Sequence, residues 1–202
     1  MAEAGRRTLV RAGRLEAFSD GVLAIIITIM VLEIRPPAGH ELVDWIPLVP
    51  VVLAYMLSFT LVAIYWNNHH HLLRATEHIT PSVMWANMLL LFSLSLVPVT
   101  TAWLGSDGNY LRSAPLALYA AVCLLCGVSY YLLALRINRA NPDDARLRAF
   151  VASRKGAASP ILYVAAIIAA LVLPALALVL LVVSAALWFI PDRVLVSEDA
   201  ES

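Results

Sequence analysis

The sequence predicts an all-α membrane protein, and two observations carry that prediction: the composition and the length of the apolar runs. Of 202 residues, 61% are hydrophobic and 14% charged, with a mean hydropathy of +0.82, far from ordinary soluble usage. Apolar runs take up most of the chain, so little remains to build a separate soluble core. The formal net charge is +0 and no basic patch occupies a soluble face, which argues against nucleic acid as a partner.

A helix rises about 1.5 Å per residue, so roughly 20 apolar residues cross a hydrocarbon core of about 30 Å. On that measure helices fall at about residues 15–34, 45–66, 82–104 and 114–136. The last run, Pro160 to Ile190, has 31 residues and would measure about 46 Å as one helix, too long without steep tilt. Pro174 divides it into 160–173 and 175–190, giving six transmembrane helices in a single transmembrane domain, 1–202. A proline that only kinks one long helix is the competing reading, with five spans.

The cations orient this topology. With six helices, Arg6, Arg7, Arg11, Arg14, Arg74, Arg136, Arg139, Arg146, Arg148, Arg154, Lys155 and Arg193 share one side. Only Arg35 and Arg112 lie opposite, so the positive-inside rule puts both termini in the cytoplasm and the protein in the plasma membrane. The amino-terminal arm and the loop 137–159 carry most of that weight, and neither separates five spans from six. The acidic tail with Asp192, Glu198, Asp199 and Glu201 counts little in the rule. A cleaved signal peptide is not expected: the run Val22 to Leu32 continues into Glu33-Ile34-Arg35-Pro36-Pro37 and lacks a small-x-small cleavage pattern.

Helix one opens with Arg14-Leu-Glu-Ala-Phe18-Ser19-Asp20-Gly21, a cation and an anion at the mouth of an apolar span. Ionised groups there are costly unless they meet water or a partner, which marks Arg14, Ser19 and Asp20 as functional candidates. With Ile25 set at zero and 100° per residue, Phe18, Gly21, Thr28, Ile29 and Leu32 all fall within about 60° of it. Ser19 and Asp20 lie well off, at about 120° and −140°, so they face a neighbouring helix if the stripe faces a central axis. The stripe also fits ordinary helix packing, and periodicity does not choose between the two.

These residues resemble a known family. Arg14-x-x-x-Phe18-Ser19-Asp20 followed by an Ile-rich helix is similar to the signature of the lysosomal and bacterial potassium channels called transmembrane protein 175. Trp66-x-x-His69 at the end of helix two, and Asn87 with Pro98 eleven residues later in helix three, extend the likeness over roughly the first half of the chain. The resemblance implies one six-helix unit per subunit in a homotetramer, where animal relatives carry two units and dimerise. It implies a pore lined by the first helix, constricted by Ile25 with Ile29 and Leu32 as further layers, and a selectivity ring of Thr28 hydroxyls. No Thr-Val-Gly-Tyr-Gly loop occurs, so a filter of stacked carbonyls is not on offer; a hydrophobic ring gates by wetting and dewetting. Modest preference for potassium over sodium is the expectation.

By the same resemblance Arg14, Phe18, Ser19 and Asp20 join Trp66, His69 and Asn87 in a polar network tying helix one to helices two and three. In it Asp20 accepts from Arg14 and the Trp66 indole donates. The plain alternative for Arg14 is snorkelling to lipid phosphate. His69-His70-His71 does not read as a metal site, because consecutive helical residues point about 100° apart; His70 and His71 are expected at the inner boundary, where they confer pH sensitivity. Cys123-Leu-Leu-Cys126 has redox spacing but sits in an apolar helix and reads as core. Glu33 either draws cations to the outer mouth or marks the water boundary. Asp143 and Asp144 fall in a solvated loop that touches anionic lipid. No cofactor is expected beyond permeant potassium.

The function expected is passive potassium conduction, with no enzymatic chemistry because no nucleophile, base or metal set lies in the membrane. A proton-coupled carrier using Asp20 is the alternative, weakened by the lack of an inverted repeat. A non-conducting membrane assembly protein is the third reading.

Overall fold

The computed structural model of the chain describes residues 2–74, 76, 78–106, 111–152 and 154–189, with side chains from residue 13 onward apart from 153–158 and 189. Among them every regular element is helical: α1 (Ala2–Met30), α2 (Val49–Arg74), α3 (Pro81–Ser95), α4 (Val97–Gly105), α5 (Ser113–Ala140), α6 (Ala145–Val151), α7 (Arg154–Val172) and α8 (Pro174–Phe189). Four stretches are long and apolar enough to cross a bilayer: Gly13–Glu33, Leu42–Arg74, Pro81–Gly105 and Ser113–Ala140. Two shorter apolar helices follow, Ser159–Val172 and Pro174–Trp188.

Local chemistry sets the ends. α1 tightens into a 3-10 turn over Val31–Glu33 and stops before Pro36-Pro37, because the residue before a proline avoids the helical region. Thr80 caps α3, its Oγ1 accepting from the Val83 N–H at 3.4 Å, and Pro81 fills the first position, where a missing N–H costs nothing. Asn141 caps the end of α5, and Asp144 caps the start of α6, its side chain accepting from the Arg146 and Leu147 N–H groups. Leu173 separates α7 from α8, which opens on Pro174, and the two helices pack against each other.

Three expectations change here. The third helix, expected as one piece over 82–104, is two. Pro98 has no N–H and its ring clashes with the carbonyl four residues back, so the chain breaks at Leu96, whose N–H turns to Ser93 O at 3.2 Å. The second helix runs on to Arg74, so Trp66 and His69 sit inside it rather than at its end. The expected loop 137–159 is largely helix, with α5 ending at Ala140 and α6 and the start of α7 taking up the rest. Arg193 and the acidic tail lie outside the described residues, as do the side chains of Arg6, Arg7, Arg11, Arg154 and Lys155.

α5 is the central post, packed by α3, α4, α6, α7 and α8. Its inward face, from Leu116 and Tyr119 through Cys123, Cys126 and Leu133 to Ile137, is buried, and both cysteines are free thiols in that core. Polar groups in the bundle are paired across helices, as a low-dielectric interior demands: Ser58 with Thr101 at 2.6 Å and with Tyr119 at 3.0 Å, Ser93 with Ser129 at 2.9 Å. α1 docks at the side of this bundle against α2, α3 and α4, which leaves much of its circumference uncovered.

Candidate pore helix and its polar supports

The two faces of α1 are sharply different. Leu15, Ser19, Leu23, Ile26 and Met30 recur at spacings of three and four residues, the period of one helical face, and all are buried. The opposite arc is bare in the protomer. Ile25 is 61% exposed, Ile29 43% and Leu32 73%, and Phe18, Gly21 and Thr28 are exposed with them. Thr28 turns its hydroxyl onto its own helix, donating to Ala24 O at 2.8 Å. That leaves the hydroxyl oxygen's remaining lone pair toward the exposed side.

Four cross-helix polar contacts tie α1, α2 and α3 together. Asp20 Oδ1 accepts from the Trp66 indole at 3.0 Å, joining α1 to α2. Asn87 of α3 donates through Nδ2 to Ser19 Oγ at 2.9 Å and lies 2.7 Å through Oδ1 from His69 Nε2, joining all three helices in one step. One turn along, His70 Nδ1 lies 2.9 Å from Glu16 Oε1. Glu16 pairs with His70 and Asp20 with Trp66, so four residues forward on α1 match four residues back on α2, the register of an antiparallel pair.

Hydrogen-bond direction assigns the histidine tautomer. Ser19 spends its proton on Leu15 O at 2.8 Å, so its oxygen accepts from Asn87. Asn87 Oδ1 can only accept, so His69 Nε2 carries the hydrogen. His69 Nδ1 is then the bare nitrogen, buried and without a hydrogen-bond partner.

The structure brings Ser19, Asp20, Trp66, His69 and Asn87 together but not Arg14 or Phe18. Six residues of helix put Arg14 about 120° around from Asp20, and no ion pair joins them. Arg14 and Phe18 instead line a surface groove of about 500 Å³ with Leu15, Ile79, Pro81, Met84 and Met88. Sequence reasoning missed Glu16 as a partner and left His70 at a boundary; the signal was the repeat of four residues from Glu16 to Asp20 and from Trp66 to His70. It also missed Asn141, which accepts from the His78 N–H at 2.9 Å and donates to His78 O at 3.3 Å, clipping the α2–α3 connection to the end of α5. Among the described residues no cluster of histidine, cysteine and carboxylate side chains has the makings of a metal site.

Every residue of the links between α1, α2 and α3 falls within residues 14–98, the stretch matched by a family model described as the endosomal/lysosomal potassium channel TMEM175. A protein of Chryseobacterium sp. (strain P1-3), called a potassium channel, is 42% identical over 182 residues, covering 90% of this chain and 94% of its own. The chain belongs to the TMEM175 family. A Streptomyces collinus protein, also called a potassium channel, is 33% identical over 141 residues, 63% of this chain and 65% of its own length. The crystal structure of a Chamaesiphon minutus homologue of the lysosomal potassium-selective channel TMEM175 superposes with a TM-score of 0.76 at 28% identity, over 89% of this chain and 97% of that one. TMEM175 proteins are ion channels rather than enzymes, and this member is a multi-pass membrane protein.

Proposed function

We propose that this chain is a potassium-permeable channel of the plasma membrane, in which four copies assemble around a pore lined by α1. The observation that carries the reading is the uncovered aliphatic arc of α1. Ile25, Ile29 and Leu32 are exposed in the protomer on a helix whose other side is fastened by polar links, of which the buried Ser19–Asn87–His69 one is costly to leave unmade in lipid. A face that is not used inside the subunit, on a helix whose rotation is held this firmly, suits a shared axis.

In that assembly Ile25 is the narrowest layer, Ile29 and Leu32 lie beyond it toward the outer mouth, and Thr28 contributes a ring of oxygen acceptors. Such a pore conducts when wide enough to wet and closes by dewetting. Its preference for potassium over sodium is modest, because hydroxyl dipoles and pore width act without a carbonyl cage. Ser19, Asp20, Trp66, His69 and Asn87 set the rotation of α1 and do not touch the ion. Six spans with α7 and α8 as the last two, and both termini in the cytoplasm, fit the bias of Arg and Lys toward one side.

The test is passive flux. Purified protein in planar bilayers under a potassium gradient should give currents reversing near the potassium equilibrium potential. A small flux coupled to protons, or none, would overturn the reading.

A further inference from the structure

Away from α1, helices α2, α5, α7 and α8 leave a cleft of about 30 Å³ between them. Its walls are largely aromatic, with Tyr65, Tyr130, Tyr163 and Trp188 among the lining residues, and Gly127 of α5 adds no side chain to the space. A Cβ at Gly127 would stand 3.5 Å from the Tyr163 ring and 3.7 Å from the Tyr65 hydroxyl oxygen. Among the described residues no charged side chain lines the cleft.

One polar group in the cleft is unspent. A serine or threonine in an apolar helix ordinarily turns its hydroxyl onto a carbonyl of the same helix, as Ser19, Thr28, Thr60 and Ser93 do here. Around the cleft Asn68 Nδ2 donates to Ile64 O at 2.9 Å, the Tyr130 hydroxyl to Asn68 O at 3.1 Å, and Trp188 Nε1 to Ser159 Oγ. Ser184 of α8 departs from this pattern. It is fully buried and lines the cleft, yet its Oγ has no hydrogen-bond partner in the bundle. The Tyr163 phenol stands nearby without the geometry of a bond to it. A buried hydroxyl left in that state is costly unless something from outside supplies the partner.

We propose that the cleft binds the hydroxyl end of an uncharged alkyl alcohol taken up from the bilayer, with Ser184 as its anchor. The site goes beyond the channel reading and does not depend on it. An alcohol hydroxyl donates and accepts at once, so it answers Ser184 with one function and keeps the other for the Tyr163 phenol. A water-sized group takes roughly 10–15 Å³ of such space, so the cleft admits a hydroxyl and the carbon that bears it but not a ring or a branched head. A carboxylate or phosphate would be buried there without a counter-charge. The alkyl chain packs on the tyrosine and tryptophan faces, which present apolar surface around a few polar tips.

The experiment photolabels the purified protein in lipid nanodiscs with octanol carrying a diazirine at its third carbon and maps the adducts by mass spectrometry. Wild type should be labelled on cleft residues such as Tyr65, Tyr163 and Trp188, and excess octanol should compete the label away where octane and octanoate do not. Ser184→Ala should cut that labelling about fivefold, the worth of one net hydrogen bond. Gly127→Ala, which adds a methyl at ordinary contact distance from the rings, should also cut it with the fold intact. Because the serine hydroxyl has no partner in the bundle, Ser184→Ala without alcohol should melt at or above the wild-type midpoint. Equal labelling of Ser184→Ala and wild type, competition by octane as strong as by octanol, or adducts on lipid-facing positions alone overturns the proposal. So does a lowered midpoint for Ser184→Ala, which would show that the hydroxyl is bonded within the bundle.

Discussion

Asn87 Nδ2 donates to Ser19 Oγ across 2.9 Å, and the same amide meets His69 through its oxygen. One side chain thereby fixes α1, α2 and α3 to each other at a buried point. Replacing it by leucine, of similar volume, leaves Ser19 and His69 facing a group that cannot bond. An unsatisfied buried polar group costs about 1–3 kcal/mol. Asn87→Leu should therefore lower the thermal midpoint of the purified protein by roughly 2–12 °C, at about 2–4 °C per kcal/mol for a chain of this size. An unchanged midpoint in a melting experiment would remove Asn87 from the structural core.

Asp20→Asn keeps an acceptor for the Trp66 indole and removes the charge. Because Asp20 points to α2 and not to the exposed arc, the variant should disturb gating or assembly while the ratio of potassium to sodium flux stays within about twofold of wild type. Liposome flux with each cation checks this. Normal gating with an altered ratio would count against a positioning role.

Gly105 brings α4 close to α2. A Cβ there would lie 3.0 Å from Val51 Cα, backbone against backbone, so no side-chain rotation relieves it. Gly105→Ala should cost about 1–3 kcal/mol by overpacking, whereas Gly13→Ala, with nothing within 4 Å, should not destabilise. Paired thermal melts of the two variants make the comparison.

Asp144 supplies a pH prediction outside the spans. Burial pushes its carboxyl up, but hydrogen bonds from the Arg146 side chain and from the Arg146 and Leu147 N–H groups outweigh it, and the carboxyl is held below its ordinary range. The folded value is the lower one, so the stabilisation is present above the ordinary carboxylate pKa of about 3.9 and is lost as pH falls through the folded value. Asp144→Ala should cost about 1 kcal/mol as a lost helix cap at pH 5–8, and the gap to wild type should narrow as the pH falls below the ordinary carboxylate range. Stability measured against pH in both proteins reads this out.

How much of this was legible in the sequence depended on whether the signal was local. The apolar runs and the break at Pro174 were, because span length and proline chemistry act over a few residues. The break at Leu96 was not read, although Pro98 announced it: proline inside a membrane helix kinks or breaks it according to neighbours that sequence does not show. Ser19 and Asp20 were assigned to a side away from the Ile25 stripe by helical angle alone, and the structure puts Asn87 and Trp66 there. Arg14 failed as a partner for Asp20 on the same geometry, since six residues of helix separate their directions. Glu16 was hidden because its partner lies 54 residues away, and a spacing of four matters only once the two helices are known to be neighbours.

The central claim is that the bare arc of α1 borders the ion path. Ile25→Cys tests it in a favourable background, because Cys123 and Cys126 are buried and poorly reactive. Purified Ile25→Cys channels should conduct potassium in bilayers and lose most of that current when a charged methanethiosulfonate reagent modifies the new thiol. Full modification by mass spectrometry with no change in current would contradict the account.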